Sequence, residues 1–177
     1  ALKFLERQDV DDMAPGDLIN YSRALRTRGE VMSIEEKDAS AKALFERADA
    51  MAQRAMKMQH TSTQAIAEAG QTAFWLGTEF NAAGKSDEAM AEWTHYLQHT
   101  EELLTLDPNN PDWWQEHAYA TANLGYLDQQ RGDCASAMLK FKAAIREMER
   151  AIGEKPDADS WRFNWIVARS MTSRCQA

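Results

Sequence analysis

The chain has 177 residues, 44% of them hydrophobic and 27% charged, with a net charge of −8. That acidity excludes nucleic-acid binding as a leading role, because phosphate recognition needs a basic surface, and only residues 23–28 hold basic side chains without interleaved acids. No apolar run approaches the ~18–20 residues needed to span a bilayer, and no basic start followed by an apolar stretch marks a signal peptide.

Residues 1–14 open on Ala-Leu-Lys-Phe-Leu-Glu-Arg. They read as the end of an upstream helix (to about residue 9) and a linker, so the chain is expected to be a fragment of something longer. All four prolines, Pro15, Pro108, Pro111 and Pro156, fall between long segments rich in Ala, Leu, Met, Glu, Gln, Lys and Arg. Those residues lose little rotamer freedom in a helix, whereas proline ends one. Helices are therefore predicted over about 16–32, 36–59, 63–83, 86–106, 112–131, 134–154 and 159–176. Gly84 and Gly132 are expected to end first helices in the left-handed conformation. Asp112 and Ser160 are expected to be N-caps, and Ser33 with Glu36 a capping box.

A shift of 48 residues aligns Gly29, Gly77 and Gly125, then Ala41, Ala89 and Ala137, then Phe45, Trp93 and Phe141. It also aligns Gly84 with Gly132, Leu76 with Leu124, Pro108 with Pro156, and Trp113 with Trp161. Self-similarity at a fixed period signals a repeat array. Mid-helix glycines cost ~1 kcal/mol against alanine, so these three imply close helix approach against the facing alanines. The aromatic column is expected to fill the space between one hairpin and the next. The tryptophans Trp113, Trp114, Trp161 and Trp165 read as core packing, not as a ligand cage. The last helix is apolar on more than one face, through Trp161, Trp165, Ile166 and Val167.

The order Leu-Gly, second Gly, Ala, aromatic, then a Pro-containing loop resembles the tetratricopeptide repeat. Its clearest stretches run from Leu76-Gly77-Thr78-Glu79-Phe80 to Trp93 and from Leu124-Gly125 to Phe141. The family's unit is about 34 residues; the excess amounts to two extra turns in each helix, which keep the buried stripe on one face. The resemblance covers about residues 15–177, in units of about 15–62, 63–110 and 111–158 plus a final helix 159–177. It implies an all-α, TPR-like α-α superhelix of about seven helices. Long hairpins of this kind resemble the regulatory arrays of large bacterial signalling proteins. The expected function is a non-catalytic protein- or peptide-binding scaffold, with a structural spacer or self-association module and a small-ligand sensor as alternatives.

Carried over by column, the family's groove positions give Arg23, Arg26, Glu30 and Ser33, then Gln71, Phe74, Thr78 and Asn81. The third unit gives Tyr119, Ala122, Tyr126 and Gln129, with Asn123 beside them. Only Asn123 matches the clamp by which chaperone-binding members hold a terminal carboxylate, so that activity is not implied. His95 and His99 stand four apart at outward columns and are not read as a metal site, and no cofactor is expected. The partner is expected to be a protein or peptide, with no nucleic acid or membrane contact, and self-assembly through the last helix is an option. Cys134 and Cys175 should lie at the same end of the stack. The adopted reading is two half-buried thiols in a cytoplasmic protein; a disulfide between them is the alternative and would imply an oxidising, periplasmic setting.

Overall fold

A computed structural model describes residues 9–35 and 38–175. Among these residues there are seven α-helices, one short 3-10 turn (Val10–Asp12) and no strand. The helices are α1 (Pro15–Ile34), α2 (Asp38–Met58), α3 (Thr63–Ala82), α4 (Ser86–Leu106), α5 (Pro111–Gln130), α6 (Cys134–Glu154) and α7 (Asp159–Arg174). First helices thus begin at 15, 63, 111 and 159, and second helices at 38, 86 and 134, with 48 residues between each start and the next. The chain is all-α, as expected. The anticipated upstream helix falls on residues 1–8, outside the described residues; Asp9 caps the 3-10 turn by accepting from the Asp11 N–H at 3.0 Å.

The chain divides into two compact units, Ala1–His99 and Thr100–Ala177. In the first, α1 and α2 run antiparallel, with Gly29 against Phe45 at one end and Asp11 bonded to Arg54 at the other. Met13, Leu18, Ile19, Tyr21 and Leu25 meet Ala48, Ala55 and Ala65 in one buried cluster. Small residues on α2 let the larger side chains of α1 close the gap. Phe45 is fully buried and stacks on Trp75 at 5.5 Å, so it is seated on its own hairpin's glycine while touching the next hairpin. In the second unit, Phe141 of α6 packs with Ala118 and Ala122 of α5 and Ala168 of α7.

The glycine column has a direct steric cause. A Cβ at Gly29 would stand 2.6 Å from the Phe45 ring, and one at Gly77 would stand 2.4 Å from the Trp93 ring. At Gly125 the contact is looser, 3.1 Å from both Phe141 and Lys140. The aromatic column therefore lies over the glycine of its own hairpin, and Phe45 and Phe141 also touch the helix that follows, a refinement of the sequence-based expectation.

Gly84 and Gly132 end α3 and α5 at φ +71° and +80°. Lys85 N–H donates to the Phe80 carbonyl and Gly84 N–H to that of Asn81, the paired bonds of a Schellman turn, and Asp133 and Gly132 repeat the pattern. The expected N-caps are corrected. Pro111, preset for the first helical position, starts α5 early, so Asn110 is the cap and accepts from Asp112 N–H at 3.0 Å. α7 starts after Ala158 with no side-chain cap, and Ser160 lies within it. Ser33 is in the last turn of α1 and opens no helix; its hydroxyl donates to Glu79 at 2.7 Å. Its expected partner Glu36 lies outside the described residues.

The cysteines are likewise corrected. Cys134 at the start of α6 and Cys175 just after α7 form a disulfide, with Cα atoms 5.3 Å apart. Antiparallel neighbours bring the start of one helix to the end of the next, which puts this pair within bridging distance.

Candidate functional site

On the first-helix face of the first unit, α1 and α3 lie side by side in parallel. Their contact is polar because Glu68, in the otherwise small and apolar run Ala65-Ile66-Ala67-Glu68-Ala69-Gly70, is only 3% exposed. A buried carboxylate needs partners, and α1 supplies them. Arg26 donates to it through Nε at 2.9 Å and Nη2 at 3.3 Å, and Ser22 Oγ donates at 3.3 Å. Arg26 also pairs with Glu30. Arg26, one of the expected ligand contacts, is thereby committed to holding two helices together. Arg23 differs: it lies 3.6 Å from Glu68 and keeps about half its side chain exposed, at 54%.

Gln71, Phe74, Thr78 and Asn81 are half-buried on α3. The Phe74 ring meets Trp75 edge-on at 5.2 Å and tilts onto Tyr96 at 5.7 Å. Its carbonyl accepts from both Thr78 Oγ1 (2.9 Å) and Trp93 Nε1 (3.1 Å). Arg23, Arg26, Gln71, Phe74, Thr78 and Asn81 thus belong to the first unit, and Tyr119, Asn123, Tyr126 and Gln129 to the second.

In the second unit, Tyr119 and Tyr126 of α5 pack on the cluster around Phe141 and Ala168. Burial, with Glu116 nearby, pushes the Tyr119 phenol above its ordinary value. Gln129 Nε2 donates to the Met171 carbonyl at 2.9 Å and to Cys175 Sγ at 3.2 Å, tying α5 to α7 beside the disulfide. Asn123 Nδ2 and both amide atoms of Gln115 are buried with no hydrogen-bond partner among the described residues.

The tryptophans split. Trp114 is buried, donates to the Pro108 carbonyl at 2.9 Å and carries the Arg150 guanidinium 3.4 Å over its ring. Trp161 and Trp165 are half-buried beneath Lys155 and Arg169. On α7 only Ala168 is buried, while Phe163 is 65% and Ile166 56% exposed.

A cleft of about 360 Å³ opens on the second-helix side of the first unit. Asp49 and Gln53 come from α2, Ala73 from α3, and Glu92, His95, Gln98 and His99 from α4. Read one column at a time, these side chains look like separate solvated positions. The signal available was their spacing: 49 and 53 share one face of α2, and 92, 95 and 99 share one face of α4.

No family model matches the chain, and no curated protein matches it. Among solved structures it is similar to a de novo designed helical repeat protein, at 16% identity and a TM-score of 0.41. That likeness covers 99% of this chain and 84% of that one. It is a loose likeness of helical stacking, from which nothing about ligands follows.

Proposed function

We propose that the chain is a non-catalytic protein- or peptide-binding scaffold of the tetratricopeptide type, serving as an interaction domain in a larger bacterial signalling protein. The observation that carries this reading is the recurring seat of an aromatic on a mid-helix glycine, at Gly29–Phe45, Gly77–Trp93 and Gly125–Phe141. It makes each hairpin a copy of one unit, and arrays of such units present repeated helix faces to partners. Half-buried Gln71, Asn81 and Tyr126 and the exposed Arg23 suit contact with a peptide backbone and side chains. The Cys134–Cys175 disulfide favours an oxidising compartment such as the periplasm over the cytoplasm.

Arg23→Ala combined with Asn81→Ala should weaken partner capture in a pull-down while leaving the helical circular dichroism signal unchanged. Arg23 suits this test better than Arg26, whose removal would strand the buried Glu68 carboxylate. Equal capture by the variant and the parent would remove the first-helix face from consideration. A second reading, self-association through α7, is favoured by the exposed Phe163 and Ile166. Light scattering at two concentrations separates them: a mass that stays monomeric rules out self-association.

A further inference from the structure

We propose that the cleft between α2 and α4 is a binding site for a small organic cation bearing an ammonium or guanidinium group. The inference concerns a different face from the scaffold reading and stands or falls separately. Three helices build the cavity. Ala73 of α3 forms a small, nonpolar floor, and its neighbour Thr72 has its hydroxyl 3.0 Å from Asp49 Oδ1, with its one proton shared with the Ala69 carbonyl at 2.8 Å. Gln53 Nε2 donates to Asp49 Oδ1 at 3.3 Å. At about 360 Å³ the space lies at the small end of pockets that hold ligands.

Its chemistry selects the ligand's charge. Asp49 and Glu92 face one another's field from α2 and α4, and no Lys or Arg lines the cleft. Lys42 of α2, whose charge reaches Glu92, is already paired with Glu46 and lies over the Phe80 ring. The titratable groups facing Glu92 and His99 are Asp49 and Lys42 from α2 and His95 from α4; α3 contributes only uncharged Ala73 and Thr72. Burial pushes the Glu92 carboxyl above its ordinary value, against the opposing pull of His95, whose Nδ1 lies 3.5 Å from Glu92 Oε2. Burial also holds the His99 imidazole below its ordinary value, so it stays neutral and able to accept a hydrogen bond at pH 7. An ammonium or guanidinium entering here supplies N–H donors to two carboxylates and an imidazole, and repays the desolvation of Glu92. An anion finds amide and imidazole N–H groups there but is opposed by the charges of Asp49 and Glu92. A metal ion is a poorer fit, since among the described residues no three His, Cys, Asp or Glu side chains converge to hold one.

Isothermal titration calorimetry of the full chain with agmatine provides the test, with Asp49→Asn, Glu92→Gln and the charge-matched surface control Glu101→Gln, each checked for folding by circular dichroism. One-to-one binding is expected, weakened about tenfold or more by either cleft substitution and by less than about twofold in the control. It should also fade as acidification charges the His99 imidazole and protonates Glu92. Should Asp49→Asn fail to fold, Glu92→Gln alone decides. No binding up to ~10 mM agmatine overturns the proposal, and so does an equal loss in all three variants, which would indicate bulk attraction to an acidic protein. Zinc chloride titrated in parallel closes the last route: zinc binding abolished by His95→Ala, without agmatine binding, would replace the organic cation with a metal.

Discussion

Gly77 and Gly70 sit seven residues apart on α3, yet they predict opposite outcomes when replaced by alanine. At either site the substitution gains up to ~1 kcal/mol of helix propensity. At Gly77 the new methyl would lie 2.4 Å from the rigid Trp93 ring, while at Gly70 its closest neighbour is Tyr96 at an ordinary 3.4 Å. Overpacking costs about 1–3 kcal/mol, so Gly77→Ala should lower the urea midpoint and Gly70→Ala should raise it. A stabilised Gly77→Ala would mean that the aromatic is free to move. The three-glycine column was legible in the sequence because its period marks it out; the different tolerance at Gly125 was not, since it depends on ring placement within tenths of an ångström. The pH response also belongs to single residues. A histidine held below its ordinary value on folding adds stability that is complete above about pH 6.5 and lost as pH falls through its lowered folded value. His99→Gln should therefore flatten the loss of stability as pH falls below about 6.5, read as the shift in melting temperature relative to the parent. Glu92 works in the opposite sense, its contribution being present at low pH and lost as pH rises through its raised folded value.

At the scale of elements, the helices follow their punctuation closely. Proline before a helix and glycine after it fix backbone angles locally, which is why the seven spans could be placed from sequence to within a few residues. Caps were harder, because Asn110 and Asp112 are both competent and Pro111 decides between them. Ser33 shows the same limit: a serine three residues before a glutamate fits a capping box, but a carboxylate on the neighbouring helix takes its hydroxyl instead. α7 owes much of its attachment to chemistry outside its apolar face, namely the disulfide and the two bonds from Gln129. Closing a loop of 41 residues should stabilise by roughly 2–4 kcal/mol. Reduction with a dithiol should lower the melting temperature and increase hydrogen exchange in α7 before α5, and an unchanged melt would show that the helix is held by packing alone. Proximity of the two cysteines followed from topology; their bonding did not, because a sequence carries no record of the redox setting.

Over the whole molecule, the periodic columns conveyed the architecture, whereas the candidate site was only partly legible. Position in a column says which helix face a residue occupies but not what that residue has already been committed to. Arg26 illustrates this: it has the right column for ligand contact, yet its guanidinium satisfies Glu68. The cleft is illegible in sequence for the converse reason, since its polar lining comes from α2 and α4, some 40 residues apart, over an α3 floor, and their facing depends on packing. The division into two units has its own expectation. Each unit carries its own buried cluster, and in arrays of this kind a lost contact is felt mainly by nearest neighbours. Phe45→Ala, at a typical core cost of ~3–5 kcal/mol, should raise amide exchange across α1, α2 and α3 while α6 keeps its protection. A uniform rise across the chain would show that both units open together.

The cross-link also decides how the chain would respond to being pulled. Tension applied beyond residue 175 passes through sulfur to Cys134 and bypasses the backbone between them, so α6 and α7 cannot be drawn out by force while the bridge stands. In single-molecule stretching, the oxidised protein should fall short of the reduced one by the contour length of those 41 residues, about 140 Å at ~3.5 Å each.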